Sequence, residues 1–242
     1  MKKNKTLLCI LVFTFIFTAA SGLYARGFSY QADFFSRYTW RGWDLNPVHK
    51  PVVQPSVTYA FGDSGFAVNA WFSFSFEDKE LNEIDFTASY DFKPSENFSL
   101  SAGFINYGWF FTDDFKFKDH TTQEIYIAAG LPTVFLAPEV SIYYDLNLGD
   151  GLYAQLAVGH SLEVDKKASV DLSASLGYNA GQWLPEGVDT GFSDLNFGIA
   201  VPFKAGKFTI TPSATYTIVL LDAIEDLTGD DNHFRFGISV SF

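Results

Sequence analysis

Residues 66–76 read Phe-Ala-Val-Asn-Ala-Trp-Phe-Ser-Phe-Ser-Phe. Successive side chains on an extended strand point to opposite faces. Phe66, Val68, Ala70, Phe72, Phe74 and Phe76 therefore share one face, and Ala67, Asn69, Trp71, Ser73 and Ser75 share the other. Working outward, the same period returns. Ile84, Phe86, Ala88, Tyr90 and Phe92 alternate with Glu83, Asp85, Thr87, Ser89 and Asp91. Val170 to Tyr178, Phe208 to Ile218 and Phe234 to Phe242 repeat the pattern. Twelve such strands can be drawn, over 28–41, 53–61, 66–76, 83–92, 98–110, 123–131, 138–146, 152–162, 168–178, 192–203, 208–220 and 233–242.

These strands are long, and no segment of helical period exists to cover their apolar faces. A soluble sandwich has strands of about 5–6 residues and sets its polar faces toward water. Closing the sheet removes its edges, and lipid against the apolar face removes the need for a second layer. The fold class expected is all-β: a transmembrane, antiparallel, up-and-down β-barrel of about twelve strands. Aromatics near strand ends (Phe28, Tyr30, Tyr59, Phe61, Tyr90, Phe92, Tyr178, Phe203, Phe242) fit the interfacial girdles of such barrels.

Composition narrows the classes further. The chain has 242 residues, a net charge of −12, and 27 Phe, 12 Tyr and 5 Trp. Aromatic content this high excludes disorder. One cysteine excludes a disulfide scaffold. The 16 basic against 28 acidic residues exclude a nucleic-acid partner. After the first 25 residues no apolar run is long enough for a membrane helix.

Residues 1–25 read as a secretory signal peptide: Lys2, Lys3 and Lys5, then the apolar run from Leu7 to Phe17, then the small residues Ala19, Ala20, Ser21 and Gly22, then Leu23-Tyr24-Ala25. Residues 26–242 are the expected barrel. That part carries 13 basic and 28 acidic residues, a net −15, and neither the Cys nor the Met. The expected location is the bacterial outer membrane. Outer-membrane lipid and the barrel-assembly machinery, the latter through Phe242 at the chain's end, are the expected partners.

The run Ser36-Arg37-Tyr38-Thr39-Trp40-Arg41-Gly42 is followed by Pro51 to Tyr59, by Gly65-Phe66, by Trp71-Phe72-Ser73 and by Asn82-Glu83-Ile84-Asp85. This order resembles the TorF-type porin family, which carries a Ser-x-Tyr-x-x-Arg-Gly element, then a proline-containing strand and a Gly-aromatic hairpin. Ala137 to Asp145 and Thr211 to Tyr216 fit the same style, while Asn69 stands where a small residue is expected. The resemblance implies a barrel and suggests a pore.

With apolar faces to lipid, the polar faces line the lumen. The inward acids are Asp33, Glu83, Asp85, Asp91, Glu124, Glu139, Asp145, Asp171 and Asp194; the inward bases are Arg37, Arg41 and Arg235. An ionised carboxylate cannot sit dry and unpaired. Either water fills the lumen or the arginines pair with acids and loops plug it. The functional expectation is a porin-like channel for passive diffusion of small solutes, with cation preference from the acidic lumen. Arg37 and Arg41 read either as a constriction or as members of an ion-pair network that fixes the barrel. Phe35, Trp71, Tyr126, Tyr143 and Tyr153 are inward aromatics, either a solute track or lumen packing.

Two other classes compete. A non-conducting scaffold barrel would bind another envelope protein through loops 111–122, 179–191 or 221–232, with Trp109, Trp183 and Leu220-Leu221 as apolar contacts. A rim-site hydrolase would need His120, near Asp113 and Asp114, to meet His233, near Asp230 and Asp231. The same four aspartates are weak Ca²⁺ candidates. No Gly-x-Ser-x-Gly, His-Glu-x-x-His or phosphate loop occurs. No enzyme activity, cofactor or resident metal is expected.

Overall fold

A computed structural model describes residues 27–45, 50–77, 79–109, 121–188, 190–228 and 232–242. The expected signal peptide lies outside the described residues. So do His49, Asp113, Asp114, His120, Asp230 and Asp231.

The barrel is closed and has twelve antiparallel strands, the number read from the periodicity. In chain order the strands are β1 (Phe28–Phe35), β2 (Thr39–Trp40), β3 (Trp43–Asp44), β4 (Val52–Ala60), β5 (Phe66–Ser75), β6 (Glu80–Ser95), β7 (Phe98–Trp109) and β8 (Thr121–Gly130). They continue with β9 (Glu139–Asp145), β10 (Leu152–Asp165), β11 (Ala168–Ala180), β12 (Gly191–Ala200), β13 (Phe203–Ala205), β14 (Phe208–Val219) and β15 (Asn232–Ser241). β12 and β13 are two pieces of one stave, broken at Val201-Pro202 because proline has no N–H for the ladder. β2 and β3 form a separate hairpin. Closure comes from β1 against β15, with Gln31 opposite Ser241 and Phe35 opposite Gly237.

The two faces follow the alternation. Phe66, Phe86, Phe104, Ile127, Leu156, Phe197, Phe236 and Ile238 stand exposed on the outside. Few large apolar side chains are buried. A continuous exposed apolar wall of this kind is stable only against hydrocarbon. Rings gather at both ends of it. At the short-turn end Tyr30 stacks on Phe242 (5.0 Å), while Phe28 meets Tyr59 (4.6 Å) and Phe66 meets Tyr90 (4.6 Å) with tilted rings. At the long-loop end Tyr178 meets Phe192 (5.6 Å) and Tyr216 meets Phe234 (4.5 Å).

Two expectations need correction. The first strand, read over 28–41, leaves the wall after Phe35. Ser36 ends the pairing by exchanging bonds with Phe236: its N–H donates to the Phe236 carbonyl (2.8 Å), and its Oγ accepts from the Phe236 N–H (2.9 Å). Residues 36–45 then turn into the lumen. Second, the loop 221–232 contains a short helix, α1 (Asp222–Thr228). Its Ile224 is fully buried with Val219 and Leu221, and Trp43 of β3 packs against them.

Candidate functional site

The hairpin β2–β3 has a two-residue turn, Arg41-Gly42, with φ of +49° and +86°. Both central residues in positive φ make the turn type that matches the twist of paired strands. Glycine takes this conformation freely, whereas arginine is strained there. Any Cβ on Gly42 would lie 3.1 Å from the Cβ of Asp194. The turn is therefore pressed against β12, three staves around the wall from its own attachment at β1.

Tyr38, Arg37, Trp40 and Arg41 each reach a partner through their side chains. The Tyr38 hydroxyl donates to the Glu83 carboxylate of β6 at 2.5 Å. Arg37 pairs with Asp44 at 3.3 Å. The Trp40 ring meets Tyr107 of β7 edge-on at 6.1 Å. The Arg41 guanidinium donates to both Glu124 oxygens of β8, at 2.6 and 2.9 Å, and to the Gln182 side-chain oxygen at 2.5 Å. Its carbon lies over three rings: Tyr143 at 4.2 Å, Trp40 at 4.5 Å and Tyr153 at 4.6 Å. A cation over aromatic faces gains from the ring quadrupole, and more so when desolvated.

The carboxylates divide by depth. Asp33, Glu83, Asp85, Glu124, Asp145 and Asp194 are buried in the half of the lumen that the hairpin fills. Glu124 accepts from Arg41, from the Tyr107 hydroxyl (3.0 Å) and from the Gln182 amide (2.7 Å). Asp145 accepts from the Thr122 hydroxyl (2.6 Å) and from the N–H groups of Asn147 (2.9 Å) and Gly149 (3.0 Å). Asp194 accepts from Ser193 (2.7 Å) and Asn196 (2.7 Å) and lies against the Tyr153 hydroxyl at 3.1 Å. Toward the short-turn end Asp91 and Glu139 are exposed, and Asp171 is half-buried with Ser161 and Ser169 donating to it at 2.6 and 2.9 Å. Two cavities open there, of ≈ 490 and ≈ 390 Å³, the second lined by Ser29, Gln31, Ser56, Thr58, Thr209 and Ser241. The lumen is thus occupied by the hairpin toward the long-loop end and is polar and more exposed toward the other.

The inward aromatics fall into three groups and not one track. Tyr126, Tyr143 and Tyr153 stand side by side on β8, β9 and β10, at 5.5 and 6.3 Å. Trp71 packs against Tyr38 at 5.7 Å. Phe35 lies under the Arg235 guanidinium at 4.3 Å. Gly103 and Gly237 stand directly opposite Tyr126 and Phe35, where any Cβ would strike the ring.

Arg37 and Arg41 face the lumen from the hairpin and not from the first strand. Tyr38, Trp40, Tyr107 and Gln182 also belong to the arrangement, although period alone does not single them out. Two tryptophans flanking Arg41-Gly42 are the one local cue to the turn. Gln182 carries no cue; it is held by Asn179, whose side chain accepts from its N–H (2.8 Å) and donates to its carbonyl (3.0 Å).

His233 is buried on the inward face of β15 and His160 is exposed on the outward face of β10. The proposed partner of His233, His120, lies outside the described residues. Leu221, expected as an exposed contact, is buried under the hairpin, while Leu220 is 43% exposed. Among the described residues no group of three or more His, Cys, Asp and Glu side chains is placed to hold a metal.

Known proteins share the architecture. The chain is similar in fold to the KdgM porin, at 13% identity and a TM-score of 0.55, covering 88% of this chain and 98% of that one. It is similar to an outer membrane channel from Pseudomonas putida F1, at 10% identity and a TM-score of 0.51, covering 91% and 96%. It is also similar to LpxR from Salmonella typhimurium, at 9% identity and a TM-score of 0.53, covering 88% and 99%. No curated protein matches the sequence. The family model described as a bacterial protein of unknown function, Gcw_chp, matches residues 18–230, and the chain belongs to that family.

Proposed function

We propose that this chain is a porin-like channel of the bacterial outer membrane, non-enzymatic, admitting small solutes with preference for cations, and narrowed by the hairpin Thr39–Asp44. The reading rests on the inward face: carboxylates, among them Asp33, Glu83, Asp85, Glu124, Asp145 and Asp194, outnumber the inward arginines Arg37, Arg41 and Arg235 in a closed twelve-strand barrel. Arg37 and Arg41 are engaged with Asp44 and Glu124, so the wetter acids Asp91, Glu139 and Asp171 set the field a solute meets. Rings of carboxylates favour cation passage. KdgM has been solved in complex with oligogalacturonate, a polyanion; an acid-lined lumen favours the opposite charge. The Ser36–Gly42 element supports the TorF-type porin resemblance, which belongs to this same reading.

Planar-bilayer recording of the refolded protein tests it. Expected is a cation-over-anion permeability ratio above one that falls with rising salt as the charges are screened. Anion preference overturns the acidic-lumen argument.

A closed structural barrel is the second reading, and the Arg41–Glu124 pair favours it. Replacing Arg37 and Arg41 by Ala separates the two. Unchanged conductance with lower heat stability makes the hairpin purely structural.

A further inference from the structure

We propose that Arg41 is the tethered occupant of a guanidinium-binding site in the barrel wall, and that the solutes this site recognises carry a guanidinium group. The site belongs to the wall and the occupant to the hairpin. Its groups are the Glu124 carboxylate on β8, the rings of Tyr143 on β9 and Tyr153 on β10, and the Gln182 amide oxygen in the loop after β11. A planar fork donating to two carboxylate oxygens at 2.6 and 2.9 Å, with its flat faces against rings at 4.2 and 4.6 Å, uses features that guanidinium has and ammonium lacks.

The second observation is that these groups are held by partners other than Arg41. Asn179 fixes the backbone of Gln182 from both sides. The Tyr153 hydroxyl is set between Asp194 (3.1 Å) and Gln155 (3.2 Å). Tyr107 and Gln182 donate to Glu124 at 3.0 and 2.7 Å. The cage is pre-organised, which is what lets a site bind a second, untethered ligand without rebuilding itself. Arg41 itself sits at φ +49°, a strained backbone conformation that is relieved when the turn is released.

The site cannot simply be emptied. Glu124 is fully buried, and a buried carboxylate that loses its cation is strongly penalised. The hairpin therefore leaves in exchange for another cation. A solute guanidinium that takes over Glu124 frees Arg41 and so removes one fastener of the element that occupies the long-loop half of the lumen, leaving Tyr38 and Trp43 as its remaining anchors. A ligand shifts such an equilibrium only by its preference for one state, and here the preference is for the state whose cage is vacated.

The solute class rests on the channel reading; the binding site does not, and the experiment separates them. The chain refolded in detergent is titrated calorimetrically with methylguanidinium chloride, with methylammonium and sodium chlorides at matched ionic strength as controls. In the unsubstituted protein the tether holds Arg41 at an effective concentration in the millimolar range, so Arg41→Ala is expected to bind methylguanidinium at least about tenfold more tightly. Methylammonium is expected to bind weakly to both, and adding Glu124→Gln to Arg41→Ala is expected to abolish binding. Equal affinity in both proteins, equal binding of methylammonium, or binding that survives Glu124→Gln overturns the proposal. Should Arg41→Ala refold poorly, its refolding yield and that of Arg41→Gln are measured with each salt. Rescue by methylguanidinium alone supports the site, and no rescue overturns it. Binding without conductance in a bilayer leaves the site and removes the channel; conductance without binding does the reverse.

Discussion

Arg41 and Glu124 stand 83 residues apart in the chain, yet their side chains form a two-bonded ion pair, at 2.6 and 2.9 Å, across the inside of the barrel. The pair joins a turn that hangs from β1 to the wall at β8. Both groups are desolvated, with 8% of the Arg41 side chain and none of Glu124 exposed. Removing one partner from a buried pair costs about 3–5 kcal/mol, because the other charge is left uncompensated. Arg41→Ala is expected to lower urea-unfolding stability on that scale, and Arg41→Gln with Glu124→Gln to lose less than the two single losses together. A double-mutant cycle with no coupling would show that the pair is not the fastener of the hairpin.

Tyr38 is the second fastener. Its hydroxyl is the donor to Glu83 at 2.5 Å, and both residues are buried. Tyr38→Phe keeps the ring contact with Trp71 and removes only the donor. A buried acceptor that loses one of its donors costs up to about 1–3 kcal/mol. The variant is expected to lose that much thermal stability, read from the temperature at which the barrel unfolds in SDS. No change would mean that Glu83 finds another donor.

Gly42 tests the turn geometry. Its φ is +86°, and an added Cβ would lie 3.1 Å from Asp194 Cβ and 3.6 Å from Ile224 Cδ1. A left-handed conformation costs a non-glycine residue about 1–2 kcal/mol. Gly42→Ala is expected to loosen the hairpin and raise the frequency of open events in single-channel traces, with the barrel itself intact. Traces identical to those of the unsubstituted protein would show that the turn does not control the lumen.

Lipid contact is tested from the outside. Ile127, near the middle of β8, is 54% exposed on the outward face. A cationic side chain facing lipid at mid-membrane costs about 2–4 kcal/mol. Ile127→Arg is expected to lower folding stability in bilayers by that amount, whereas Ser175→Arg, on the inward face, is expected to change it far less. Equal losses would place both faces in the same medium.

The wall was legible because lipid and lumen impose opposite demands at every second residue, so Phe66 to Phe76 alone assign both faces of β5. The hairpin was not legible for the same reason. Alternation runs on past Phe35 through Arg37, Thr39 and Arg41, and period cannot tell a strand in the wall from a strand folded inward. What removes residues 36–45 from the wall is long-range: Ser36 capping β15, Tyr38 reaching β6, and Arg41 reaching Gln182, 141 residues away. None of these partners is local. The acids of the lumen were assigned by parity, but parity says nothing of depth, and depth separates the dry Glu124 from the wet Asp91.

That separation makes the selectivity prediction specific. Asp91, Glu139 and Asp171 lie toward the short-turn end, where Asp91 and Glu139 are exposed. Exposed carboxylates contribute little to stability but act on the potential of the water-filled path. Asp91→Asn, Glu139→Gln and Asp171→Asn combined are expected to reduce the cation-over-anion permeability ratio toward one, with thermal stability close to unchanged. Glu124→Gln alone is expected to do the opposite, lowering stability while leaving the ratio set by the wet acids. If the triple substitution leaves reversal potentials in a salt gradient where they were, the field that selects solutes arises elsewhere than in these three residues.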